Sequence, residues 1–200
     1  MTPEIKVSAS GFADPVGDSQ ASFRVLMEAF AHAARPHLFQ PRTQSIGGLS
    51  AAALTILLTL ADQDTPIWLD TPFAQDEALR WFIAFHAGAP IVANERDAAF
   101  AFVSAPGRLG DLRRFANGEP DYPDRSATII VQAEAFYQTP FMFTGPGIRT
   151  SEGFGVNDLG SDFIASWRHN RSHFPLGVDL LFVSGDHVVA LPRSLRLMEF

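Results

Sequence analysis

From Ala51 to Ala61 the chain reads AAALTILLTLA, eleven residues without a charge. A helix of that length rises about 16 Å, roughly half the hydrocarbon thickness of a bilayer, so it is too short to span one. It is apolar on every side and therefore reads as a buried helix. Ser50 precedes it as a capping residue, and residues 66–69 follow as a short buried strand.

Around this helix the pattern alternates. Residues 1–17 contain Pro3, Gly11, Pro15 and Gly17 and read as an extended arm. Ser19 is expected to cap a helix to about Ala34, with Phe23, Met27 and Phe30 on one buried stripe. Asp76 and Glu77 open a third helix carrying Leu79, Phe82, Ile83 and His86. Strands are expected over 89–92, 99–103, 127–132 and 140–144, with a short basic helix over 108–116 and a loop over 117–126. Asp158 or Ser161 starts a last helix to about Asn170, and 178–184 with 187–191 form a hairpin around Gly185-Asp186. These elements predict one domain over 1–200, a three-layer α/β/α arrangement with a mixed sheet.

Composition narrows the function. The chain is 46% hydrophobic and 18% charged, with 18 Phe against 2 Tyr and 3 Trp. Phenylalanine has no polar handle, so this excess needs a dry core and suggests a subunit interface as a second sink. A net charge of −7 argues against nucleic-acid binding. The absence of cysteine excludes disulfides, thiolate metal sites, iron–sulfur ligation and cysteine nucleophiles within this chain, and fits a cytoplasmic protein. The start, MTPEIKVSAS, lacks the basic and apolar regions of a secretory signal, and no membrane association is expected. Basic residues are fourteen Arg and a single Lys, Lys6, so a pyridoxal-phosphate Schiff base has almost no candidate amine.

Local motifs leave alternatives open. TGPGIRTSEGFGV (144–156) has the glycines of a phosphate loop, but Pro146 removes an amide donor and no helix pattern follows. A strand-ending turn is the favoured reading, with Arg149 left as the residue that could reach an anion. His169 and His173 in HNRSHF share a helix face, either as surface or interface histidines or as part of a metal site lacking its third ligand. Asp62 and Asp64 follow the negative end of the apolar helix; they need a compensating arginine or ligand, or form an Asx-type turn. His86 ends a helix, as a dipole cap or as a general acid–base. No GxSxG elbow, Gly-Lys phosphate loop or HExxH motif is present.

The ordered segments SQASFRVLMEAF, LLTLADQDTPIWL, FHAGAPIV, SATIIVQ, FTGPGI and FPLGVDLLFVSGDHVVALPR resemble the PhnH family of the bacterial carbon–phosphorus lyase system, from about Asp14 to Arg193. One departure is Pro36-His37, where the family has Pro-Gly. The resemblance implies a fold similar to the large domain of pyridoxal-phosphate transferases without the cofactor, and a homodimer. It implies a core assembly with PhnG, PhnI and PhnJ, with PhnL and PhnK associated. That assembly transfers the ribose triphosphate of ATP to an alkylphosphonate and displaces adenine; iron–sulfur chemistry belongs to a partner. Matching polar positions are Arg24, Asp62, Asp64, Thr65, His86, Asp179 and Arg193, candidates for a site at a dimer or partner interface. For Asp179 and Arg193 a structural ion pair is the competing reading. An independent α/β enzyme or ligand-binding module for a small anionic metabolite is the alternative function.

Overall fold

The structure, a computed structural model, describes residues 11–198. Lys6 and most of the expected N-terminal arm lie outside them. The helix α1 spans Pro15–Ala31 and is capped by Asp14, whose carboxylate accepts from the Gly17 amide. The expected cap at Ser19 is therefore five residues late, and residues 15–17 are helical. Pro15 occupies the first helical turn, where a missing N–H costs nothing, so it starts the helix rather than barring it.

The apolar run forms α2, Ala51–Leu60, with Ser50 Oγ accepting from the Ala53 amide. Six consecutive residues, Ala52 to Leu57, are buried, so the helix is covered on all sides. Its one polar member among them, Thr55, donates to the Ala51 carbonyl at 2.8 Å and accepts from the Arg42 amide at 2.9 Å. This satisfies the hydroxyl, as burial requires. β1 is His37–Leu38, β2 is Ile67–Leu69, and a short α3, Thr71–Ala74, precedes α4, Glu77–His86. Asp76 caps α4 through the Leu79 amide, as expected.

β3 (Ile91–Val92), β4 (Phe100–Val103), β7 (Thr128–Gln132), β10 (Asp179–Ser184) and β11 (His187–Leu191) complete a mixed sheet. Between them come β5 (Asn117–Glu119), β6 (Tyr122–Ser126), β8 (Phe136–Thr144) and β9 (Glu152–Val156); α5 (Phe163–Ser172) and β12 (Arg196–Leu197) follow in their turn. The sheet order is β1-β11-β10-β7-β4-β2-β3. From β10 to β3 the neighbours are parallel, whereas β11 is antiparallel to both β10 and β1. Its edges, β1 and β3, are two residues long, which limits edge-to-edge pairing.

Both faces are apolar, as a largely parallel sheet demands. Ile130, Leu181, Val183, Val188 and Ala190 face a core built with α1, α2 and α4. Ile129, Val131, Leu180, Phe182 and Leu191 face the other core, with Trp167 of α5 and Phe143 and Phe154. This second face departs from the expected helical layer, because the three-stranded sheet β12-β8-β9 shares it with α5.

Four further expectations are corrected. The α1 stripe is displaced by one position: Ser22, Leu26 and Ala29 are buried, while Phe23 and Met27 are 48% and 52% exposed and Phe30 is half-buried. Residues 108–116 form single 3-10 turns, Pro106–Arg108 and Leu112–Arg114, rather than a helix. The turn-rich 117–126 pairs as the antiparallel hairpin β5–β6. The last helix begins at Phe163 after Asp162, later than Asp158 or Ser161.

Candidate functional site

The chain leaves β2 toward β3 on one side of the sheet and leaves β4 toward β7 on the other. The carboxyl ends of β2 and β4 therefore form a topological switch point, the place where open α/β sheets leave a crevice. The residues immediately following these strands meet there. Asp70, 4% exposed, follows β2 and reaches across to Ser104 and Arg108 after β4.

Its carboxylate accepts from the Thr71 amide at 2.7 Å, from the Ser104 amide at 3.2 Å and from the Ser104 hydroxyl at 2.5 Å. Arg108 adds Nε at 2.6 Å and Nη2 at 2.8 Å. Burial pushes the Asp70 pKa up, but the bonds from Arg108, Ser104 and the Thr71 amide outweigh it and hold the carboxyl at about 2. Asp70 is thus a saturated latch between two strand ends. It also holds Arg108, whose side chain is 47% exposed, at the mouth of a cleft of about 380 Å³.

Trp68, Thr71, Glu95 and Arg114 form the rest of that cleft. The Arg114 guanidinium lies over the rings of Trp68 and Phe115 at 5.0 and 4.9 Å. Glu95 approaches it at 3.7 Å, and its buried Nε has no hydrogen-bond partner. Gly107 lines this cleft and a larger one of about 570 Å³ between the 106–113 segment and α5. There the Leu112 amide donates to Ser166 Oγ at 2.9 Å, fixing the segment against α5. Hydrogen bonds from Arg113, then its amide, hold Asp111 down to about 2.

The sequence-derived candidates do not converge on these clefts. Asp62, Asp64 and Thr65 precede β2 and so lie at the opposite, amino end of the parallel strands. Asp62 Oδ1 accepts from the Asp64 amide at 3.0 Å and the Thr65 hydroxyl at 2.6 Å, which is the Asx-type turn. These two bonds, the hydroxyl's first, hold its pKa below the usual range. His86 ends α4 near the same end of the molecule, where Gly88 lies beside Gln63. Its ring packs on Phe82 and Phe85 with centroids at 4.3 and 4.9 Å, and this partial burial lowers its pKa, which disfavours a charged cap.

Asp179 and Arg193 form the ion pair: the Arg193 amide donates at 2.7 Å, the guanidinium binds both carboxylate oxygens, and Nη1 reaches the Pro123 carbonyl at 2.9 Å. Arg24 is exposed on α1 and Arg149 is exposed in the turn after β8. That turn closes a β8–β9 hairpin, with Glu152 bound by Arg35. Gly147, at φ +81°, packs so closely that a Cβ would lie 2.0 Å from the Ala31 carbonyl oxygen at the end of α1. Asp70, Ser104 and Arg108 escaped notice at the sequence level. Their signal was positional: each follows a short apolar strand, IWL or FAFV.

The family model described as "Bacterial phosphonate metabolism protein (PhnH)" matches residues 10–198. The chain belongs to the PhnH family. It is 36% identical over 208 residues, 98% of each chain, to the "Alpha-D-ribose 1-methylphosphonate 5-triphosphate synthase subunit PhnH" of Rhizobium meliloti (strain 1021). It is 27% identical to the "Putative C-P lyase subunit protein HtxG" of Stutzerimonas stutzeri over 179 residues, covering 89% of this chain and 85% of that one. The PhnH match spans both sheet faces and includes the Asp70–Arg108 latch and the clefts on either side of Gly107.

Proposed function

We propose that the chain is a non-autonomous subunit of the carbon–phosphorus lyase core assembly. The assembly transfers the ribose triphosphate of ATP to an alkylphosphonate and displaces adenine. The observation that carries this reading is the 36% identity, over 98% of both chains, to a relative named as a subunit of such a synthase. The chemistry at the switch point supports the word non-autonomous. Asp70 is saturated by five bonds and Asp111 is tied to Arg113, so neither is poised as a general base.

In this reading the chain is a cytoplasmic homodimer that joins PhnG, PhnI and PhnJ, with PhnL and PhnK associated. Exposed apolar side chains support a role in assembly: Phe23 and Met27 on α1, and the Trp81–Phe85 pair on α4, whose rings stack with centroids at 5.0 Å. The reading includes a likeness to the large domain of pyridoxal-phosphate transferases without their cofactor. With Lys6 the single lysine and no cysteine in the chain, Schiff-base and iron–sulfur chemistry would have to come from elsewhere. No helix among the described residues is long and apolar enough to cross a membrane.

Adenine release from ATP and methylphosphonate is the test. The purified chain alone is expected to release none, and the partner subunits without it none either, while the reconstituted assembly releases adenine. Turnover by the lone chain would overturn the proposal in favour of an independent enzyme, and failure to co-purify with the partners would overturn the assembly role.

A further inference from the structure

A third, smaller cleft of about 250 Å³ lies where the 96–117 segment meets the C-terminal half of α5. Arg96, Arg113, His169 and His173 line it, beside Asn117 and Leu176. No carboxylate lines it, in a chain whose net charge is −7. The two histidines are one helical turn apart with ring centroids at 4.4 Å. His173 Nδ1 bonds the His169 carbonyl oxygen at 2.9 Å, which commits Nδ1 as a donor and leaves Nε2 for another partner. The Arg96 guanidinium donates to the Arg113 carbonyl at 3.4 Å, not to an acid. Arg113 engages Asp111 through Nε and Nη2, which leaves Nη1.

The wall behind these groups is rigid. Asn170 accepts from the Val178 amide at 2.8 Å and donates to the Val178 carbonyl at 2.9 Å. The Gly177 amide donates to the Asn117 carbonyl at 2.9 Å, and a Cβ at Gly177 would lie 2.6 Å from Asn170 Oδ1. Cationic donors on a fixed wall are preorganised for an anion. A divalent metal fits poorly beside two guanidinium groups, and among the described residues no cluster of three metal-ligating side chains exists.

We propose that this cleft binds a small molecule bearing a phosphoryl or phosphonyl dianion, held by Arg96, Arg113, His169 and His173. Guanidinium forks match the tetrahedral oxygens, and with Nδ1 committed as a donor His173 offers Nε2–H to the anion as the imidazolium. The volume falls below the roughly 300–1,000 Å³ of sites for larger ligands, so the occupant is smaller than a nucleoside triphosphate. Arg113 and His169 also line the 570 Å³ cleft, so a substituent on the bound group would extend toward the switch point.

The test needs only the purified full-length chain, and so stands apart from the assembly experiment. Calorimetry and histidine proton resonances are followed during titration with inorganic phosphate and, separately, with methylphosphonate. Saturable binding that shifts the His169 and His173 resonances is expected. Tighter binding of phosphate would assign a phosphate ester, and of methylphosphonate a phosphonate; either supports the site. Arg96→Gln is expected to weaken binding about tenfold or more without changing the thermal midpoint. His173→Gln should behave similarly, whereas Arg80→Gln, at an exposed arginine of α4, should leave affinity intact. No saturable binding of either anion would overturn the proposal, as would binding indifferent to both cleft substitutions. Shifts of both histidines with Zn²⁺ alone, and none with the anions, would overturn it in favour of a metal site.

Discussion

Asp70 shows how a buried acid can be structural while lying where a sheet presents its ligands. Its folded pKa of about 2 lies below the ordinary 3.8, so its contribution is fully present above pH 3.8 and is lost as pH falls through 2. The shift corresponds to about 2 kcal/mol. Denaturant unfolding between pH 7 and pH 2 should therefore show stability falling over that acid window. In Asp70→Asn the fall should be shallower, from a starting stability lowered by about 1.5–3 kcal/mol because the bonds from Ser104 and Arg108 lose their charged acceptor. An unchanged acid slope would sink the latch. The sequence points elsewhere because Asp62 and Asp64 crowd a helix end conspicuously, yet Asp62 is satisfied by its own turn. Asp70 before Thr-Pro reads locally as loop. Only the partners 34 and 38 residues away give it a role, and no local pattern encodes that distance.

At the scale of elements, caps and turns separate what was readable from what was not. Ser50 and Asp76 announce α2 and α4 because a capping side chain acts within its own first turn. The α1 stripe was misplaced because Phe23 and Met27 look like core by composition, while smaller Ser22 and Ala29 let α1 approach its neighbours closely. Leu26→Ala should cost about 2–5 kcal/mol, but Phe23→Ser should change stability by no more than about 0.5 kcal/mol; chemical denaturation distinguishes them. β9 was hidden by its glycines, which propensity assigns to loops. Gly147→Ala should cost roughly 1–3 kcal/mol, because positive φ and the Ala31 carbonyl both exclude a Cβ. A melting temperature equal to the parent's would show that the turn does not dock on α1.

Across the whole molecule, one sheet serves two cores, and Phe182 joins the second to the added small sheet through its ring contact with Phe154 at 5.0 Å. Phe182→Ala should cost about 3–5 kcal/mol and loosen the β8–β9 hairpin, visible as faster amide exchange in β9 than in β7. The alternating α/β plan was legible because burial on two faces imposes short but continuously apolar strands. The mixed second layer was not, since strand partners such as β12 and β8 lie far apart in the chain.

The strand order also has a consequence for synthesis. β7 has only one of its two parallel neighbours, β4, until β10 exists, and β1 waits for β11, 151 residues later in the His37–Val188 register. During translation α2 has no complete shelter, because Leu181, Val183, Val188 and Ala190 of its core come last. At about 5–20 residues per second, the stretch from β7 to β11 keeps that greasy helix uncovered for several seconds on the ribosome. The β10–β11 hairpin is thus the clasp that closes the core around α2.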